Sequence, residues 1–304
     1  MKKIATALLS CALAAATLAG CAANAAQVPQ ESQEPHTAAL TATAAASVKS
    51  PKYVFLFIGD GMSYPQIQST SDYLGALKDA DYWQAQPSLD DNQGAILDGP
   101  EYLNFMNFEA AGSAVTYDSN SFAPDSASTA TSISTGHKTY SGVINMDEGL
   151  TRKYESIAEK LHRQKGWKVG IITSVNLNHA TPAAFYAHQP SRNNYYEIGE
   201  EMLNSGFEYF AGGALLKPAG PDGDRASIYD LAPGRGYRII RTQADAEKVS
   251  AADGKVILVD EHLADSDAMA YENDRDGDNW ALADYVRKGI EVLDNDRGFF
   301  MMVE

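Results

Sequence analysis

The chain has 304 residues, 44% of them hydrophobic and 10% aromatic, a composition that can fill a large core and excludes a disordered or fibrous polymer. Its 40 acidic side chains outnumber the 24 basic ones, for a formal net charge of -16. That balance argues against a nucleic-acid duplex as partner, because a backbone-binding surface needs clustered Lys and Arg, and an anionic substrate would require a local reversal of sign by a buried arginine or by metal ions.

The N-terminus, MKKIATALLSCALAAATLAGCAA, joins a basic start to an apolar run of signal-peptide length that ends in Leu18, Ala19, Gly20 and Cys21. The run is short for a spanning helix, so residues 1–21 read as a secretion signal. LAGC resembles the bacterial lipobox, whose cysteine becomes the lipidated first residue of the mature chain; a plain signal cleaved near Ala23–Ala25 is the alternative. The expectation is an exported lipoprotein of the periplasm or cell envelope, touching the membrane only through the lipid on Cys21. Cys11 would leave with the signal, so the mature fold is expected to hold no disulfide although its compartment is oxidising. Residues 22–50 are rich in Ala, Thr, Ser, Gln and Pro without an aromatic side chain and read as a flexible tether, leaving 51–304 as one folded domain.

Lys52–Met62 begins as a continuous apolar run, the pattern of a strand buried on both faces in a parallel sheet, and ends in Gly59, Asp60, Gly61. A helix is expected after Tyr64, then an insertion over the sheet at Tyr82–Phe105. Pro124–Gly136, PDSASTATSISTG, reads as a helix of small residues capped by Asp125, with Ser126 in its first turn, where the helix dipole and free N–H groups can hold an anion. A helix ending on Gly166 precedes a strand at Trp167–Val175, and NHATPAAFYAHQPSR then places His179, Thr181, His188 and Arg192 at the carboxyl edge of the sheet. For His188 a packed or surface histidine is the simpler expectation. A helix ending on Gly206, a second insertion at Lys217–Tyr237, a helix from Thr242 to Gly254 and a strand at Lys255–Asp260 follow. ENDRDGDNW, Glu272–Trp280, alternates acids like a calcium loop but lacks the distal Glu of an EF-hand, so a turn into the next helix is favoured. Arg297–Glu304 is the last strand, and Glu304 closes it at its carboxyl end.

Strands alternating with helices predict an α/β sandwich of three layers around a mainly parallel central sheet, with ligands at the carboxyl ends of its strands. Asp60, Thr181 and Glu304 converge there, and oxygen-only donors suit Mg²⁺. Arg192 can grip two phosphate oxygens at once.

FIGDGM, PDSASTATSISTGHKTYSGVINMD, NHATPAAFYAH followed by SR, and FFMMVE, in that order, resemble the alkaline phosphatase family from about Lys52 onward. The resemblance implies hydrolysis of phosphate monoesters by two zinc ions and one magnesium, through a phosphoserine. It implies Ser126 as nucleophile and Asp60 as the carboxylate bridging the second zinc and the magnesium. Thr181 and Glu304 fall on the other magnesium ligands, Arg192 on the phosphoryl clamp, and His179 on a tuning position beside the magnesium. Small phosphomonoesters are the implied substrates and a homodimer a common assembly.

Two departures stand out. Ser63 follows GDGM where the family commonly has glycine, which alters the turn but leaves Asp60 in place. The family's further zinc ligands lie after the position of Glu304, so the expectation is a C-terminally incomplete fold with an exposed sheet edge, in which the second zinc keeps only Asp60 and Ser126. Such a chain is expected to be inactive or nearly so. The alternatives are a related phosphodiesterase or sulfatase, and a non-catalytic surface lipoprotein derived from a phosphatase.

Overall fold

Six short strands build the core of the computed structural model, which describes residues 50–78, 99–277 and 279–304. They are β1 (Tyr53–Phe57), β2 (Lys168–Asn176), β3 (Tyr209–Gly213), β4 (Tyr237–Ile240), β5 (Lys255–Val259) and β6 (Phe299–Val303). All neighbours pair in parallel, in the order β1-β6-β2-β3-β5-β4. Residues 51–304 form one compact unit.

Alternation along the strands divides the interior into two cores. Val169, Ile171, Phe210, Ile257, Phe300 and Met302 point to one face. There they meet α2 (Ser126–Thr135), α3 (Ile157–Lys165), α4 (Ala180–Ala183) and α5 (Tyr195–Asn204) through Ala127, Ala158, Ala183 and Met202. Ile172, Tyr209, Leu258, Phe299 and Met301 point to the other face and pack on α6 (Leu282–Leu293) through Tyr285, Val292 and Leu293. The three-layer sandwich on a parallel sheet is therefore present.

Local chemistry explains most helix limits. Ser156 and Glu159 form a capping box at the start of α3, Gly166 ends it in the left-handed conformation, and His162, Arg163 and Lys165 crowd its negative end. Thr242 caps as expected, but the helix after it is a single turn, Gln243–Ala246, because Ser250 and Asp253 form their own capping box and start a separate 3-10 turn at Ala251–Asp253. The helix after Tyr64, α1, runs Tyr64–Lys78. No helix among the described residues is long and apolar enough to cross a membrane.

Two strands are additions to the four read from apolar runs. β3 is YFAGG, in which two glycines interrupt the β-forming pattern, and β4 is YRII at the sheet edge with Arg238 exposed. The stretch Lys217–Tyr237, read as an insertion, instead contains a helical turn at Ile228–Leu231 and leads directly into β4. Most of the insertion expected at Tyr82–Phe105 lies outside the described residues, as do the signal, Cys21 and nearly all of the tether.

β1 ends the sheet, paired with β6 alone among the described residues. Its Val54, Leu56 and Ile58 pack on the α2–α5 core, while Tyr53, Phe55 and Phe57 stay open on the opposite face, Phe57 at 65% exposure. β1 is therefore covered on one face only, not on both as its continuous apolar run suggested.

Candidate functional site

The carboxyl ends of β1, β6 and β2 bring the acidic residues together. Asp60 follows β1 in a turn closed by the Met62 N–H donating to the Gly59 carbonyl at 3.1 Å, with Gly61 at φ 66° supplying the left-handed step. Ser63 does not disturb that turn: its N–H donates to Gln66 Oε1 at 3.1 Å, and it heads α1 as half of a capping box. Glu304 leaves β6 only 9% exposed, with its N–H bonded to the Ile172 carbonyl at 2.9 Å and its Oε2 accepting from Thr173 Oγ1 at 2.7 Å. Burial raises the Glu304 pKa, opposed by hydrogen bonds from Thr173 and Thr181; Asp60 pushes it further up and Arg192 pulls it down. Asp60, Thr181, Arg192 and Glu304 thus share one electrostatic neighbourhood.

Asp125 organises the other half of the site. It is the N-cap of α2, accepting from the Ser128 N–H at 3.1 Å, and it also accepts from the Gly142 N–H at 3.0 Å and from Arg192 Nη1 at 2.9 Å. Burial alone would raise its pKa, but the donors Gly142, Ser128 and Arg192 outweigh burial and hold it at about 2. Ser126 begins α2 beside this carboxylate, half-buried, at the positive end of the helix dipole.

Arg192 connects the two halves. Its Nη2 lies 3.1 Å from His179 Nε2, and a guanidinium can only donate, so Nε2 accepts and the imidazole proton sits on Nδ1. That Nδ1 is buried without a hydrogen-bond partner. Burial first and then the Arg192 charge lower the His179 pKa, with Asp60 opposing, so the ring is neutral at pH 7.

A layer behind Asp125 escaped the sequence reading. Asp118, 4% exposed, accepts from Ser128 Oγ at 2.9 Å, from the Asn120 N–H at 3.0 Å and from the Ser141 hydroxyl. Ser128 Oγ lies 2.9 Å from Asp125 as well, so one hydroxyl stands between two carboxylates and ties the 118–121 turn to the cap of α2. No local pattern marks this arrangement, because its members meet only when the chain folds. Thr173, which fixes Glu304, carried a weak signal as a polar residue at the carboxyl end of an apolar strand.

An open cavity of about 830 Å³ is lined by Asp60 and its neighbours in the β1–α1 turn together with Asp125, Ser126, Thr129 and Arg192. A second cavity, about 790 Å³, lies over the end of β2 between Met269 and Trp280 and holds none of these residues. In the Glu272–Trp280 stretch, Arg275 pairs with Glu272 at 2.7 Å and donates to the Asn279 carbonyl at 2.6 Å, closing a turn; Asp278 lies outside the described residues.

The donors decide which metals fit. Asp60, Thr181 and Glu304 offer three oxygens, a hard set matched to Mg²⁺. Among the described residues no group of three or more His, Cys, Asp or Glu could hold a metal ion.

His188 stands apart from the site as a packed histidine. Its Nε2 lies 3.3 Å from Glu159 and 3.1 Å from the Tyr154 carbonyl, and its Nδ1 lies 3.8 Å from Glu201, which also pairs with Lys153. Burial lowers its pKa, but the hydrogen bonds and charges of Glu159 and Glu201 prevail and raise it to about 9. Since the folded value exceeds the unfolded one, the stabilisation is complete below about pH 6.5 and fades as pH rises through 9. His188→Gln is expected to lose about 2 to 3 kcal/mol at pH 6 and less than half of that at pH 10, measured by urea denaturation; an equal loss at both pH values would refute the ion cluster.

The family model described as alkaline phosphatase matches residues 51–211, more than half of the chain. Alkaline phosphatase 4 of Bacillus subtilis is 28% identical over 260 residues, covering 83% of this chain and 50% of that protein. The tissue-nonspecific alkaline phosphatase of Gallus gallus is 27% identical, covering 83% of this chain and 54% of its own length. The solved alkaline phosphatase of the Antarctic bacterium TAB5 superposes with a TM-score of 0.64 at 28% identity, over 83% of this chain and 64% of that one. Mutants of the TAB5 enzyme, with one histidine changed to aspartate or to glutamate, are solved with magnesium in a site called M3. The chain thus spans about half the length of these curated relatives. The family model covers more than half of the chain and the sheet superposes on that of a solved member, so the chain belongs to the alkaline phosphatase family.

Proposed function

We propose that residues 51–304 bind the phosphoryl group of a phosphate monoester and transfer it to Ser126. The observation that supports this best is Arg192, held by Asp125 at the start of α2 and lining the same cavity as Ser126 and Asp60. Arg192 would grip phosphoryl oxygens with the N–H groups that Asp125 and His179 leave free, and the N-terminus of α2 would favour negative charge beside Ser126. In the transfer a bond forms between Ser126 Oγ and phosphorus as the ester P–O bond breaks; the serine proton passes to solvent water, and water protonates the departing alcoholate, so that the proton count is unchanged. Hydrolysis of the phosphoserine by water then frees phosphate.

Magnesium bound by Asp60, Thr181 and Glu304 would supply positive charge beside the phosphoryl group. The two zinc ions that the resemblance implies find only Asp60 and Ser126 among these residues, and two oxygens bind zinc weakly. The test is a single-turnover incubation with 4-nitrophenyl phosphate and Mg²⁺, followed by peptide mass spectrometry. Phosphate should appear on Ser126 and be absent from Ser126→Ala; release of nitrophenol by that variant at the wild-type rate would remove the assignment.

From the lipobox-like LAGC after the N-terminal apolar run, we also propose that the protein is an exported lipoprotein with Cys21 as its lipid-bearing residue. Metabolic labelling with palmitate should mark the wild type and not Cys21→Ala; equal labelling would overturn it.

A further inference from the structure

We propose that Asp118 is a positioning residue for phosphoryl transfer: from outside the cavity it sets Ser126 against Arg192, by bonding at once to α2 and to the loop on which the Arg192 backbone rests. The role depends on the phosphoryl-transfer reading and deepens it. None of Asp118, Ser128 and Ser141 lines the cavity at Ser126. Asp118 Oδ2 accepts from Ser128 Oγ at 2.9 Å, in the first turn of α2, and from the Ser141 hydroxyl, while its Oδ1 accepts from the Asn120 N–H at 3.0 Å. Burial raises the Asp118 pKa, but the hydrogen bonds from Ser141, Asn120 and Ser128 prevail and lower it, so the group is a carboxylate at pH 7.

The two segments that Asp118 joins are the ones that hold Asp125 and Arg192. Asp125 Oδ1 takes one N–H from each, Ser128 at 3.1 Å and Gly142 at 3.0 Å. Arg192 is gripped at both ends, its backbone N–H donating to the Gly142 carbonyl at 2.7 Å and its Nη1 to Asp125 Oδ2 at 2.9 Å. Ile144 and Gln189 exchange backbone hydrogen bonds of 2.9 and 3.0 Å, so the segment of Arg192 moves with the loop of Gly142. Ser126 belongs to α2, and its spacing from the guanidinium therefore follows the spacing of α2 from that loop. Ser128 Oγ lies 2.9 Å from both Asp118 Oδ2 and Asp125 Oδ1, yet a hydroxyl donates only one proton. Asp125 Oδ1 already accepts two N–H bonds, so the Ser128 proton goes to Asp118. Thr131 and Ser134 tie the far part of α2 to Val143 and Asn145, which leaves the Ser126 end to Asp118.

Isothermal titration of the 304-residue chain with inorganic phosphate in Mg²⁺ tests the role, with urea denaturation read alongside. Ser128→Ala and Ser141→Ala each remove one arm of the clamp and spare the backbone N–H groups on Asp125; each should weaken phosphate about fivefold, the worth of one hydrogen bond. The double variant should lose no more than about tenfold, because losing either arm already frees the two segments from each other. Asp118→Asn should bind within about twofold of the wild type, since its amide oxygen still accepts from Asn120 and its NH₂ group can donate to both serine oxygens. Ser134→Ala, which cuts the tie at the far end of α2, should lower the unfolding midpoint and leave phosphate affinity unchanged. Wild-type affinity in both serine variants, losses that simply multiply in the double variant, an Asp118→Asn protein as weak as the serine variants, or an equal loss in Ser134→Ala would overturn the role while leaving the phosphoryl site intact. Failure of the wild type to bind phosphate would remove the phosphoryl reading and the role with it.

Discussion

Asp125→Ala is expected to lower stability by about 3 kcal/mol and to abolish inorganic phosphate binding, while Asp125→Asn keeps most of the stability and still loses the phosphate. The alanine variant deletes the cap of α2, which by itself costs about 1 kcal/mol. It also leaves the Gly142 N–H without its acceptor and Arg192 without its anion. An unpaired buried donor costs about 1 to 3 kcal/mol. The Arg192–Asp125 pair is about a quarter exposed on each side, so its loss adds less than that of a fully buried pair. Asparagine is an equally good N-cap and can still accept from Gly142 and Ser128, yet it cannot fix the guanidinium by charge. Urea denaturation reads the first quantity and titration with phosphate the second. If both variants bound phosphate like the wild type, Asp125 would be a helix cap and nothing more.

Because the Asp125 carboxyl titrates at about 2, below its ordinary value of 3.8, the stability it supplies is present above pH 4 and is lost as pH falls toward 2. The arrangement is therefore charged throughout the range in which a phosphate monoester is a dianion. His179 complements it by staying neutral, which lets Nε2 accept from Arg192 rather than repel it.

What could be read in the sequence followed from where chemistry is local. Asp60 and Glu304 each end an apolar run, and the parallel-sheet rule puts such ends at the ligand edge. Asp125 and Ser126 were legible as a cap and a first turn. Arg192 was visible as a phosphate-binding residue type, but its role as clamp came from the resemblance, since nothing within a few residues of it reveals its partners: Asp125 is 67 positions away. Asp118 and Ser141 were invisible for the same reason, and Thr173 showed only as a polar residue at a strand end, since its contact with Glu304 spans 131 positions. β3 was missed because its two glycines serve tertiary contacts rather than strand propensity.

Those glycines give the second large effect: Gly212→Ala is expected to cost about 3 to 4 kcal/mol and to erase stabilisation by magnesium. A methyl at Gly212 would lie 2.3 Å from the Thr173 carbonyl oxygen, closer than any real contact, and the φ of 155° is itself a poor one for a side chain. Neither strand can yield easily, because the Gly212 carbonyl accepts from the Asp260 N–H at 2.8 Å on its other side. The register between β2 and β3 is regular through Ile172 and Ala211 and then slips before Asn176 and Gly213. Thr173 stands in that irregular stretch, and bulges of this kind re-aim side chains beside active sites. Here the result is a threonine whose carbonyl faces Gly212, while its hydroxyl donates to Glu304 and also accepts from the Val175 N–H at 3.1 Å. Pushing β3 away from Thr173 displaces the hydroxyl that holds Glu304, the proposed magnesium ligand. With Mg²⁺ at a hundred times its dissociation constant the wild type should gain about 2.7 kcal/mol, seen as a raised unfolding midpoint, and Gly212→Ala should gain little. Gly223→Ala, at a left-handed loop position with open space around it, serves as the control and should lose about 1 kcal/mol with its magnesium response intact. A Gly212→Ala protein with the wild-type midpoint and response would show that the β2–β3 irregularity has no part in placing Glu304.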